Sequence, residues 1–307
     1  MRALSARATQ EESARTDRVP SADEPLPGPL TKRMRGGWVL EVLGLLIAGV
    51  LHDYLRNAEM GPANVALRNA RTLNRIEQWL GIYHELDVQR FFLHWPATIV
   101  FWNLYYDTAH FIVPIVVAVF LYVKFPVRYV RMRNTFLIML FFTGPICWAL
   151  FPVSPPKYMG AQYGFVDTQV EYYNGPGRQV ALHYGPDGEP RQDLVDAVGN
   201  LYGGMPSHHV SWALFCVLAL WPVVRRWWVK AIILLHPILT LGAITVTGQH
   251  HFLDFFGSCV EVTVAYLLAI ALERALARRR ARRRAFAHGG EAAIELRANS
   301  ARAASPR

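Results

Sequence analysis

Apolar and polar residues do not alternate along this chain; the apolar ones come in long blocks. Six blocks stand out, over residues 38–55, 97–123, 134–152, 207–224, 231–247 and 252–272. Most approach the ~20 residues that a bilayer-spanning helix needs. One or two such blocks would suit the buried helices of a soluble protein. Six of them in 307 residues do not, and they predict an all-α polytopic membrane protein with six transmembrane helices in a bundle. The expected organisation is a disordered cytoplasmic tail over 1–35, a membrane catalytic domain over 36–275 and a basic disordered cytoplasmic tail over 276–307. The first tail is rich in Arg, Glu, Ser and Pro and has no apolar stretch of the kind a signal peptide carries.

Composition agrees with this pattern. The chain is 52% apolar and only 18% charged, with mean hydropathy +0.16, against about a quarter charged in ordinary soluble domains. Cys147, Cys216 and Cys259 each lie inside an apolar run, which excludes a disulfide scaffold. The net charge of +9 invites a nucleic-acid reading, but the placement of the charges argues otherwise. Lys32, Arg33 and Arg35, then Lys124, Arg128, Arg131 and Arg133, then Arg225, Arg226 and Lys230, then Arg274, Arg278–Arg280 and Arg282–Arg284 all flank apolar blocks. Those 17 basic residues have one acid, Glu273, among them, whereas the loop 56–96 carries five basic and four acidic residues and the loop 153–206 three and six. By the positive-inside rule both termini are cytoplasmic and the two poor loops are external. The Arg278–Arg284 run reads as a topology anchor, so no nucleic-acid partner is expected.

The outer loops carry two further signals. Residues 62–80 are helical in pattern, with Val65, Leu73, Ile76 and Leu80 on one face and Arg68, Arg71, Arg75 and Glu77 elsewhere. This is either a helix lying on the outer membrane surface or a solvated loop helix. The stretch 160–200 is rich in Gly, Pro, Tyr and Asp and suits a lid over an outward-facing site.

Three polar groups sit where the blocks meet these loops: Pro155-Pro156-Lys157, Pro206-Ser207-His208-His209, and His250-His251-Phe252-Leu253-Asp254. Far apart in sequence, they share one predicted membrane depth, and ionisable residues there suggest function. His250 and Asp254 are four apart and share a helical face, so the carboxylate can fix one imidazole tautomer and leave the other nitrogen free to attack. His251 stands three from Asp254 and competes for that role, with His250 preferred. Gly257 and Ser258 continue the face and permit close helix packing. Ser207 and His209 open a helix, where free N–H groups favour an anion. Lys157 adds a cation suited to phosphate. His110, in the outer half of the second block, suits either a headgroup pocket or a plain interhelical hydrogen bond. His236, beside Pro237, reads as a kink residue, Glu41 and Glu261 as structurally paired acids, and Trp95, Trp102 and Tyr158 as an interface belt.

These motifs resemble those of the type 2 phosphatidic acid phosphatase superfamily, over roughly residues 63–272. Pro206-Ser207-His208-His209 matches its Pro-Ser-x-His motif and His250 to Asp254 its His-x-x-x-Asp motif. Gly204 to Val210, Gly248 to His251 and Phe151 to Lys157 look most like the branch containing inositol phosphorylceramide synthases. The resemblance implies a membrane phosphotransferase or lipid phosphatase. His250 would be the nucleophile forming a phosphohistidine, Asp254 its orienting partner and His209 the acid–base. Lys157, Ser207, His208 and His110 would contact the substrate, a phospholipid or polyprenyl phosphate. No metal or other cofactor is implied. The chain departs from the family in lacking the full Lys…Arg-Pro first motif, for which Lys157 is a partial stand-in and Arg178 a weak second. Ala243 and Ile244 also stand where Ser-Arg often precedes the third motif. Two readings from other classes remain beside this one: a non-catalytic lipid-binding or transport protein, and a metal site built from the four clustered histidines with Asp254. The sequence leaves the oligomeric state open.

Overall fold

The computed structural model describes residues 37–58, 62–172 and 202–303, the last of these as backbone only beyond Ala281. The tail over 1–35, the turns at 174–177 and 185–188 and Arg178 therefore lie outside the described residues, whereas residues 276–303 of the second expected tail continue the last helix.

Apolar blocks become helices because lipid offers no partner for backbone N–H and C=O groups, so each segment must satisfy its own. The helices are α1 (Trp38–Ala58), α2 (Ala63–Leu80), α3 (Glu85–Leu93), α4 (Pro96–Lys124), α5 (Pro126–Ile138), α6 (Gly144–Leu150), the short α7 (Thr168–Glu171), α8 (His208–Leu220), α9 (Trp227–Val246) and α10 (Leu253–Ala303). Among the described residues there is no strand, only an isolated bridge between Val153 and Gly203. The protein is an all-α polytopic membrane protein.

Five segments are long and apolar enough to cross a bilayer: Trp38–Arg56, Pro96–Lys124, Pro126–Leu150, Trp227–Val246 and Leu253–Ala281. The third joins α5 and α6 through a π-helical turn, Met139–Thr143. The sixth expected span forms a helix of only 13 residues, α8. It packs between α4, α9 and α10, with Val210, Ala213, Phe215, Cys216 and Ala219 buried. Its end has a physical cause. The Arg128 guanidinium donates to the carbonyls of Ala219 (2.7 Å) and Leu218, which satisfies groups that would otherwise continue the helix.

Arg128 therefore does more than mark topology. Its neighbours in the same basic cluster are also engaged: Arg131 pairs with Glu273 on α10 at 3.0 Å, and Arg133 with Glu41 on α1. Tyr129 donates to Glu41 as well (3.2 Å), so the paired-acid reading of Glu41 holds. These contacts tie α1, α5, α8 and α10 together at the end of the bundle remote from the histidine motifs. Beneath them lies the main core, built from Val117, Leu121, Tyr129, Met132, Met139, Phe215, Cys216 and Val262. His236 Nδ1 is hydrogen-bonded to the Tyr105 hydroxyl of α4 (2.7 Å), so it links α4 to α9 beside Pro237.

Helix α2 has two unlike faces. Ala66, Leu67, Ala70, Leu73, Asn74 and Glu77 are buried against the protein, while Ile76, Trp79 and Leu80 are exposed. The expected polar position Glu77 is in fact fully enclosed, and the expected apolar positions Ile76 and Leu80 face outward. The interface-belt reading also fails for Tyr158, which is buried with the Lys157 ammonium 4.8 Å from its ring centre. Trp95, at 49% exposed, remains outward-facing.

Candidate active site

The three polar groups meet at one end of the bundle through backbone contacts. The Lys157 N–H donates to Gly248 O (3.1 Å), His250 bonds Gly204 O, and the Val153 N–H donates to Tyr202 O (2.8 Å). Gly248, two residues before His250, takes φ +65°, a left-handed turn between α9 and α10. A Cβ there would press on the Lys157 and Gln89 side chains, so glycine serves both the turn and the close approach.

His250 is buried and its Nδ1 lies 3.0 Å from both Asp254 Oδ2 and Gly204 O. A carbonyl can only accept, so Nδ1 carries the hydrogen and Nε2 keeps its lone pair. Asp254 is fully buried on the first turn of α10 and also accepts the His251 N–H (3.1 Å). Opposite stands His209 at the start of α8, its ring centre 5.7 Å from that of His250 in an edge-on arrangement. Tyr106 stacks on His209 at 4.1 Å and His110 packs on it at 4.2 Å, both from α4. His110 is itself bonded at Nδ1 to Tyr106 O (2.7 Å), so its imidazole orientation is fixed. A narrow cleft beside His209 is lined by Tyr105, Tyr106, His110, Thr240, Ala243 and Ile244.

The two helix starts at this end differ. That of α10 is filled by carboxylates: Glu85 accepts the Phe252 N–H and Glu77 the Leu253 N–H, each at 2.9 Å. That of α8 carries no side-chain cap, and the Ser207 hydroxyl, fully buried, has no hydrogen-bond partner among the described residues. An uncapped helix start with a spare hydroxyl is suited to hold an anion, and a start already occupied by two carboxylates is not. Ser258 Oγ donates to Ser207 O (2.9 Å), and Gly257 lets Met205 pack close, so both small residues of α10 support the Pro206–His209 segment. Trp148 Nε1 holds the same segment through Pro206 O (3.2 Å).

Lys157 is buried, its Nζ 2.9 Å from Gln169 Oε1 and 3.3 Å from Asp167 Oδ2. Burial lowers its ammonium below the usual lysine range, and the Asp167 carboxylate opposes that. Gln249 Nε2 also donates to Gln169 Oε1 (2.7 Å), and Gln169 Nε2 reaches Asp107 Oδ1 at 3.4 Å. The described start of the long loop, up to residue 172, is thus pinned across α4 and the turn before His250. Asn103 bonding Thr168 (3.2 Å), and Gln89 bonding Val166 and Val246 (3.0 Å each), add to the pinning.

Not every expected residue joins this group. His208, one position before His209, turns away to Glu261 (3.2 Å), the His52 ring and Trp148. His251 turns from the site as well. Its Nε2 lies 3.2 Å from Ser154 O and its Nδ1 faces Glu77 at 3.7 Å. Between the two candidates it is therefore the His250 ring that Asp254 engages. The four histidines and Asp254 do not converge as one ligand set among the described residues, because alternate histidines point to different neighbours. Glu77, Glu85 and Glu261 were not expected near the site. Burial, with the Glu77 carboxylate beside it, pushes Glu85 up to about 7.

A bundle of apolar helices holding an acid-oriented histidine, a second histidine facing it and an anion-suited helix start defines a membrane enzyme built for phosphoryl chemistry. Residues 71–268 match the model of the PAP2 superfamily, and the chain belongs to that family. Its members are metal-independent phosphatases and phosphotransferases of the type 2 phosphatidic acid phosphatase kind. Searches of curated proteins and of solved structures find no match.

Proposed function

We propose that this enzyme moves a phosphoryl or phosphoalcohol group from a lipid donor to an alcohol acceptor through a phosphohistidine on His250. The observation that carries the reading is the His250 ring, fixed at Nδ1 by Asp254 and faced by His209. Nε2 of His250 would attack phosphorus. As the N–P bond forms, the P–O bond to the leaving alcohol breaks and His209 delivers a proton to that oxygen. In the second half His209 takes the proton of the incoming hydroxyl, whose oxygen bonds phosphorus as the N–P bond breaks. Asp254 stabilises the imidazolium character that develops on His250, as in other oriented-histidine sites. Ser207, the α8 N–H groups and Lys157 would hold the phosphoryl oxygens, cationic and N–H donors carrying the load that Mg²⁺ carries in kinases. His110, wedged against His209, would border the headgroup.

The likeness of Phe151 to Lys157 and Gly204 to Val210 to the inositol phosphorylceramide synthase branch favours a transferase, as does the pinned segment over the Lys157 side. The second reading is a lipid phosphate phosphatase with water as acceptor, which family membership supports equally. The two separate on products. Purified protein in lipid nanodiscs, given candidate phospholipid and polyprenyl-phosphate donors, is expected to yield a new phospholipid by mass spectrometry. Free phosphate without any new lipid would establish the phosphatase, and neither product with any donor would leave a non-catalytic lipid-binding protein.

The charge asymmetry supports an orientation with both termini cytoplasmic and the histidine end outward. Arg279→Cys should then stay unlabelled by an impermeant thiol reagent in intact cells and react after permeabilisation. Labelling in intact cells would reverse the orientation.

A further inference from the structure

Beside the phosphoryl site lies a second constellation that its chemistry does not use. Glu77 from α2, Glu85 at the start of α3 and His251 before α10 each offer one ligand atom, all three atoms within 4.8 Å of one another. The three side chains are at most 1% exposed. Glu77 Oε2, Glu85 Oε2 and His251 Nδ1 have no hydrogen-bond partner among the described residues, the nearest approach being His251 Nδ1 to Glu77 Oε2 at 3.7 Å. Buried polar atoms are seldom left in this state, and three converging ones call for a shared occupant.

The surroundings say what kind. His251 Nε2 faces Ser154 O at 3.2 Å, and a carbonyl can only accept, so Nε2 carries a hydrogen and Nδ1, 3.7 Å from Glu77 Oε2, is the nitrogen left for an ion. Metal-bound histidines are arranged in this way, one nitrogen on the ion and the other donating to a carbonyl. Each glutamate is likewise held from outside, its Oε1 accepting a backbone N–H of α10 while Oε2 turns inward. With an ion bound and the protons displaced, two carboxylates and a neutral imidazole would sum to a charge of −2, which a divalent ion cancels. Bonds of about 2.1 Å from one ion place tetrahedral ligand atoms about 3.4 Å apart, so the present spacing closes with sub-ångström side-chain shifts. An imidazole with two carboxylates suits zinc better than magnesium or calcium, which prefer all-oxygen shells.

We propose that Glu77, Glu85 and His251 bind a Zn²⁺ ion, with water in the fourth position. The ion staples α2 and α3, which flank the outer turn at 81–84, to the residues that precede α10. Its place in the fold is structural. None of its three ligands belongs to the His250, Asp254 and His209 group, and the phosphoryl chemistry proceeds without it. What it fixes is the register of the segment that presents His250 and Asp254.

The test is metal content, which is read without turnover and so stands or falls apart from the phosphotransferase reading. Full-length protein purified without chelators from zinc-supplemented cells is expected to carry about one Zn²⁺ per chain by mass spectrometry of the elements. Glu85→Gln and His251→Gln are each expected to lower that content at least about tenfold. Because either variant can misfold, a second measurement uses the unmodified chain: Co²⁺ exchanged into it should show the visible absorption of a four-coordinate site. Protein that takes up neither Zn²⁺ nor Co²⁺ would overturn the proposal. So would zinc retained in both variants, since the ion would then be bound elsewhere.

Discussion

His250→Ala is expected to abolish turnover of every lipid that the wild-type enzyme accepts, by at least about 10⁴-fold in kcat. The expected loss is this large because in the proposed mechanism the residue supplies the bond-forming nitrogen itself, and a neighbouring group cannot substitute for an absent nucleophile. His251 is the obvious candidate to rescue it, but its ring is engaged by Ser154 O and turned toward Glu77. His209→Ala should lose less, about 10²- to 10⁴-fold, the range of a general acid–base. The two variants also differ in kind. With an aryl phosphate donor, whose leaving group needs no proton, His209→Ala should still form an acid-labile phosphoenzyme that turns over slowly, while His250→Ala should form none. Trapping radiolabelled phosphate on the protein and treating it with acid and with base reads this directly. A phosphoenzyme in His250→Ala would remove His250 from the nucleophile role, and full activity in that variant would remove the mechanism.

The contact between His250 and Asp254 was legible in the sequence because it is local. His250 and Asp254 are one helical turn apart, and their spacing alone predicts the shared face that brings Nδ1 to 3.0 Å from the carboxylate. The choice of His209 over His208 follows from the same periodicity, since adjacent residues on a helix point about 100° apart and only one can face His250. Block lengths found the bundle, but hydropathy overran α8. Residues 221–224 are apolar, yet the helix stops at Leu220, because the Arg128 guanidinium takes its last carbonyls and Pro222 has no N–H to continue the ladder. What the sequence could not show is long-range pairing of acids. Glu77 bonds a backbone group 176 residues away and Glu85 one 167 away. In the local pattern of α2, Glu77 sits among arginines and reads as solvent-facing. Its burial depends on where α10 begins, which no window on α2 contains. The outward Ile76, Trp79 and Leu80 show the same failure from the other side, because in a membrane protein an apolar face can be the one that leaves the core.

Glu261→Ala is expected to be the most damaging substitution outside the reacting residues, at about 3–5 kcal/mol, because it leaves a buried network without its acceptor. The carboxylate receives Ser211 Oγ on one oxygen, and Thr143 Oγ1 (3.2 Å) and His208 Nε2 (3.2 Å) on the other. It is only 3% exposed, so water cannot replace it. Glu261→Gln keeps the size and one acceptor oxygen and should recover most of the loss. A cost of that size lowers an unfolding midpoint by roughly 10 °C, which tryptophan fluorescence on heating in nanodiscs will resolve. The position of Glu261 explains why so costly a group is kept there. It stands seven residues after Asp254, two turns along the same face of α10. Asp254 holds His250, and Glu261 holds His208, the neighbour of His209. One helix face thereby sets both histidines of the proposed reaction, directly through Asp254 and at one remove through Glu261. Glu261→Gln should for that reason leave KM for the lipid donor nearly unchanged and lower kcat, since it disturbs the aim of His209 rather than the donor's binding contacts. An unfolding midpoint for Glu261→Ala equal to the wild type would show that the network contributes nothing to the fold, and unchanged kcat in Glu261→Gln would show that α10 aims only the nucleophile.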